Sequence, residues 1–215
     1  MTPIPRLALI ASIAWLLGFG VLARWGTWLP FAFAGAILTV LMLRTGAVGV
    51  ETLRPSRRHF AIGVFTGALM VLLTHLAYAA VAALVPSVLP ATRELFWLLN
   101  VEGFSAPERA TLIVVIASCE EVLFRGPLLG SGRAAGKFGK WRFERPHLSR
   151  VCAWAAAYAL TTLPLASPLL TLCAFVCGGI WGVLAVATGS LTVPILVHAI
   201  WDLGVLIVWP LTTRP

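Results

Sequence analysis

The apolar residues of this 215-residue chain are gathered into blocks, with short polar stretches between them. A hydrocarbon core of ~30 Å takes about 20 apolar residues in a helix. Seven blocks near that length run over 7–23, 28–43, 60–86, 108–130, 150–165, 168–187 and 191–209. The second and fifth are short, and the turn Leu165-Ala166-Ser167-Pro168 is tight, which leaves six or eight as alternative counts. Backbone in lipid must satisfy its own hydrogen bonds, so such spans are helices. The expected fold is all-α, a polytopic transmembrane helical bundle of about seven spans. Sixty percent apolar residues, 11% charged residues and a mean hydropathy of +0.94 exclude a soluble domain of this length. Arg6 before the first block resembles a signal-peptide start. However, Gly18-Phe19-Gly20 is a weak cleavage site and further spans follow, so the first span is expected to be retained.

The net charge of +8 follows the membrane and not a nucleic-acid footprint. Arg44, Arg54, Arg57 and Arg58 lie between spans two and three; Arg133, Lys137, Lys140, Arg142, Arg145 and Arg150 lie between spans four and five. Scattered Arg24, Arg93, Arg109 and Arg214 fall on the alternating side. The positive-inside rule then places the N-terminus and both basic loops in the cytoplasm and the C-terminus outside. Topology and contact with anionic lipid account for these loops without a specific partner, and no nucleic acid is expected. The segment 87–107 contains RELFWLLN (93–100), which suits a short interfacial helix. The loop 131–150, with Gly132, Gly136, Gly139 and Pro146, reads as a cytoplasmic turn region with an interfacial stretch at Phe138–Phe143. There is no internal repeat or low-complexity tract.

Within the apolar run 110–130 stand Glu120 and Glu121, with Arg125 one turn on. Carboxylates at membrane depth cost several kcal/mol unless paired or hydrated, so they mark a functional site by default. Arg125 at i,i+4 neutralises Glu121 and leaves Glu120 free. On a helix the two acids point ~100° apart and border a cleft. Gly126-Pro127 loosens the helix just beyond them, where water or substrate is expected to enter. His198 and Asp202 share one face of the last span at i,i+4, so the carboxylate orients the imidazole. Glu120 is about ten residues from the cytoplasmic end of its span and His198 about eight from the start of its own, so the two lie at a common depth. His75, on span three, reads as bundle packing, with a contribution to the site as the alternative. Cys119, Cys152, Cys173 and Cys177 all fall in spans and read as apolar packing. Carboxylates beside Cys119 oppose the thiolate that a nucleophile requires.

Glu120-Glu121-Val122-Leu123-Phe124-Arg125 resembles the EExxxR motif of the CAAX-protease and bacteriocin-processing family, intramembrane proteases of the Ras-converting-enzyme type. His198-Ala199-Ile200-Trp201-Asp202 is similar to its HxxxN or HxxxD motif, in the expected order and within a family-like context over 188–202. The middle FxxxH motif departs. Its best register places Tyr158 over the Phe and Thr162 over the His, with Leu163-Pro164 following. The resemblance implies a catalytic core over 108–205, behind N-terminal helices and an outer segment over 1–107. It also implies that the first Glu and the middle His hold a water while the last His and its Asn or Asp stabilise the oxyanion. Carried over, Glu120 is the general base, Glu121 with Arg125 sets the local charge, and His198 with Asp202 serves the oxyanion. Thr162 and Tyr158 position the water.

The expected function is thus an intramembrane endopeptidase, cutting near the C-terminus of a membrane-embedded or lipid-modified protein or peptide. Family members process prenylated CAAX proteins, peptide precursors or, in myxosortase-like members, C-terminal sorting tails. The Ala, Arg and Trp content with short loops looks bacterial, which favours a peptide or C-terminal tail and a cytoplasmic (inner) membrane location. No cofactor is expected. The alternatives are a zinc site on Glu120, His198 and Asp202, a catalytically silent scaffold or immunity protein suggested by Thr162, and a small transporter or proton relay.

Overall fold

The computed structural model describes residues 3–99, 104–129 and 145–211. The described residues are helical with no strand, in the order α1 (Pro3–Trp25), α2 (Leu29–Arg44), α3 (Arg57–Leu84), α4 (Val88–Leu99), α5 (Ala106–Glu120), α6 (Gly126–Leu129), α7 (Arg145–Thr161), α8 (Pro168–Thr188) and α9 (Thr192–Leu203). A helix therefore stands in each of the seven apolar blocks. The basic residues at 133, 137, 140 and 142, the glycines at 132, 136 and 139 and the stretch 138–143 lie outside the described residues, as does Arg214.

Helices α3 and α8 are each long and apolar enough to cross a membrane; Leu9–Trp25, Leu29–Arg44 and Thr192–Val208 are shorter apolar helices. Only 11% of the most apolar window of α3 is buried, so its outward side chains, Phe60, Phe65, Leu73 and Leu76 among them, need an apolar solvent. In α1 the buried side chains Ala11, Trp15, Phe19 and Leu22 recur at helical spacing, while Leu9, Ile10, Ile13 and Leu17 face outward. Both faces of α1 are apolar, and size and aromaticity distinguish them.

Local sequence sets the helix ends. The Glu108 carboxylate accepts the Ser105 backbone N–H at 2.7 Å and so starts α5. Ser56 caps α3 by accepting His59 N–H at 3.1 Å. Helix α7 begins five residues earlier than the apolar block, at Arg145, because Pro146 is tolerated in a first turn. It ends at Thr161, and a 3₁₀ turn over Leu163–Leu165 follows, closed by Ala166 at φ 51°. The expected interfacial segment is the twelve-residue α4, which starts at Val88 rather than Arg93.

Helix pairs pack closely where side chains are missing. A Cβ on Gly63 would stand 2.7 Å from the Leu196 Cβ, and one on Gly67 2.9 Å from the Ile200 Cβ, so a small-xxx-small stripe on α3 seats α9. Gly178 and Gly182 of α8 do the same for α7, against Tyr158 and Val151. The interior holds one main cluster, including Trp15, Phe31, Phe124, Tyr158, Trp181 and Val197. Glu120, Glu121, Arg125 and His198 are buried along with it.

Candidate functional site

Two π turns shape the site. Helix α5 runs into a π turn over Glu121–Arg125, in which the Gly126 N–H reaches back to the Glu121 and Val122 carbonyls. Pro127 has no N–H to offer the Leu123 carbonyl, and widening the turn relieves the clash that its ring would cause. A second π turn, Gly204–Val208, follows α9 directly, and there the Trp209 N–H bonds the Gly204 carbonyl at 2.8 Å. The first π turn carries Glu121 and Arg125 of the site and the second begins two residues past Asp202, a common location for such turns. The opening expected at Gly126-Pro127 is not formed: Gly126 to Leu129 are buried, and Gly126 packs against Val48.

Glu120 is 4% exposed and both of its oxygens are held. The Trp15 indole N–H donates to Oε1 at 2.7 Å, and the Tyr158 hydroxyl donates to Oε2 at 2.8 Å. Glu121 is fully buried, and its Oε1 lies 2.8 Å from His198 Nδ1 and 3.3 Å from Arg125 Nη1. The His198 Nε2 faces Asp202 Oδ2 at 3.3 Å and Glu120 Oε2 at 3.7 Å. The imidazole is thus bracketed by carboxylates on both ring nitrogens. Its face is stacked on Trp181, with centroids 3.6 Å apart and planes 19° from parallel. The Arg125 guanidinium lies 4.6 Å over the Tyr158 ring and 5.2 Å from the Trp181 ring, so ring faces share its charge with Glu121. Gly178 leaves the space this needs, since a Cβ there would approach Arg125 Nη2 to 2.9 Å.

The structure therefore brings together Glu120, Glu121, Arg125, His198, Asp202 and Tyr158. It also changes which carboxylate anchors the imidazole. At 2.8 Å Glu121 holds Nδ1 more closely than Asp202 holds Nε2, and Arg125 backs Glu121 in turn. Thr162 is buried, and its hydroxyl bonds the Ala159 carbonyl at 2.8 Å and the Thr171 hydroxyl at 3.0 Å. Those bonds run along α7 and to α8; the side chain hydrogen-bonded to Glu120 at this end of α7 is Tyr158, one turn earlier. His75 lies apart, stacked on Trp209 with its ring nitrogens 2.8 Å from the Val71 carbonyl and 2.9 Å from the Trp209 carbonyl.

Sequence reasoning did not find Trp15 or Trp181. Both are tryptophans in apolar helices, two of nine in the chain. The available signal is weak: a buried indole needs an acceptor. Among the described residues, no group of three or more His, Cys, Asp or Glu side chains is arranged to hold a metal ion.

The class that this fold and site define is a membrane-embedded helical protein with a buried carboxylate–imidazole centre. Residues 102–204, just under half of the chain, match the family model described as Rce1-like, type II CAAX prenyl endopeptidase. No curated protein and no solved structure gives a significant match.

Proposed function

We propose that the chain is an intramembrane endopeptidase in which Glu120 activates the attacking water. The observation that carries this reading is the approach of His198 Nε2 to 3.7 Å from Glu120 Oε2 while Glu121 anchors Nδ1 at 2.8 Å. A base and a proton donor then face one small volume, and a further group holds the donor's orientation. Glu120 takes a proton from water as the oxygen attacks the scissile carbonyl. His198 Nε2, on the Oε2 side of Glu120, donates to the oxyanion, while the Tyr158 hydroxyl keeps its one proton on Oε2 and holds the base in place. Glu120 returns the proton to the leaving amine as the C–N bond breaks. Asp202, whose side chain is 22% exposed against 3% for His198, marks the side from which water and substrate arrive. Thr162, tied to Ala159 and Thr171, acts on the site through the end of α7.

The proposed substrate is a membrane-embedded or lipid-modified protein or peptide, cut near its C-terminus, with a bacterial C-terminal tail or peptide precursor preferred. In this reading the protein is a multi-pass protein of a bacterial cytoplasmic membrane, with its N-terminus inside and its C-terminus outside. The test compares membrane proteomes of cells carrying the wild type, Glu120→Ala and Thr162→Ala at matched levels. Glu120→Ala is expected to abolish cleavage and accumulate a longer precursor, which names the substrate; Thr162→Ala is expected to slow processing only. Full processing in Glu120→Ala refutes the assignment. A phenotype that survives in that variant favours the catalytically silent alternative.

A further inference from the structure

We propose that Trp15, on α1 and outside the Rce1-like segment, is a positioning residue for Glu120, its indole N–H fixing Oε1 so that Oε2 faces His198. The inference rests on the endopeptidase reading for its consequence and on separate geometry for its existence. The Nε1–Oε1 distance is 2.7 Å, across 105 residues of sequence, and both side chains are buried.

The plainer account is that a buried indole takes any acceptor nearby. The packing of this ring argues against it. Phe31 meets Trp15 edge-to-face at 4.6 Å and Phe124 at 6.2 Å. From a third side Gly35 of α2 gives way, since a Cβ there would stand 2.7 Å from the ring. The ring plane is therefore set by apolar neighbours, and the direction of its N–H is set with it. A carboxylate rotates about its last bond unless each oxygen has its own partner. Trp15 on Oε1 and Tyr158 on Oε2 make the two oxygens inequivalent, and the inequivalence aims Oε2 at His198 Nε2. In a buried site that admits little water, a fixed donor of this kind stabilises the ionised base with no reorganisation during reaction.

The test uses the full chain in lipid nanodiscs with ¹⁵N-labelled tryptophan. The indole resonance missing in Trp15→Phe is expected to lie downfield in the wild type and to move in Glu120→Gln. A Trp15 resonance that ignores Glu120→Gln overturns the bond. For the role, Trp15→Phe is compared in cells with a chain carrying 3-benzothienylalanine at position 15, which keeps the bicyclic ring and lacks the N–H. Both are expected to slow processing of the precursor that accumulates in Glu120→Ala by about 10–100-fold at matched protein levels and thermal stability, the loss of one hydrogen bond to a charged group. Wild-type processing with the isosteric ring shows a purely structural role and overturns the proposal. If Glu120→Ala leaves the membrane proteome unchanged, the endopeptidase reading fails and takes the positioning role with it. The Trp15–Glu120 bond still stands or falls on the resonance alone.

Discussion

Glu121 and Glu120 are neighbours in sequence with different surroundings. Glu121 Oε1 faces Arg125 Nη1 and His198 Nδ1, two basic groups inside the protein. Glu120 has two neutral donors, Trp15 and Tyr158. Removing Glu121 strands a buried guanidinium, and breaking such a pair costs about 3–5 kcal/mol. Glu121→Ala is therefore expected to unfold markedly earlier than the wild type in mixed-micelle denaturation, with Glu121→Gln recovering part of the loss because it keeps an acceptor. Equal stability of Glu121→Ala and the wild type would show that ring faces alone carry the Arg125 charge. The sequence made the Glu121–Arg125 pair legible through its i,i+4 spacing. It did not make the Glu121–His198 contact legible, because the matched depth of two helices says which residues can meet and not which nitrogen meets which oxygen.

Helices α3 and α9 illustrate how a glycine stripe far from the charges governs the site. Gly63 and Gly67 let α9 approach until Leu196 and Ile200 rest on α3, and His198 lies between those two positions on the same helix. Gly67→Val forces the helices apart; overpacking of this kind costs about 1–3 kcal/mol, and a shift of ~1 Å at a reacting group costs about 100-fold in rate. The expected outcome is lower thermal stability and much slower precursor processing in Gly67→Val. Gly179→Ala, where nothing lies within 4 Å of the added carbon, is expected to show neither effect. A Gly67→Val protein that processes normally would mean that α9 is seated by other contacts. Hydropathy located the helices of the seven apolar blocks, because apolar length is written directly in composition, and the interfacial pattern of 93–100 located α4. It left the ends uncertain by several residues, as at Arg145 and Val88, where a proline or the start of an interfacial turn decides. The π turns were signalled only by Gly126-Pro127 in one case and by nothing readable in the other.

At the scale of the molecule, the proposed orientation is checked by C-terminal reporters in a bacterial host: alkaline phosphatase is expected to be active and green fluorescent protein dark. The reverse pattern overturns the placement of both termini. The all-α architecture was legible because long apolar blocks admit no other backbone in lipid, and half of the site was legible because charged residues are rare there. Trp15 and Trp181 were not, because they act through a single polar atom or a ring face on residues that also serve as ordinary apolar filling. Gly35 carries this furthest. It has no charge, no side chain and no place in the Rce1-like segment, yet Trp15 on one side and Cys119, next to Glu120, on the other both press into the space it leaves. A change in the N-terminal helices thus reaches the candidate base without touching it: any side chain at position 35 has to displace Trp15 or Cys119, the one bonded to Glu120 and the other adjacent to it.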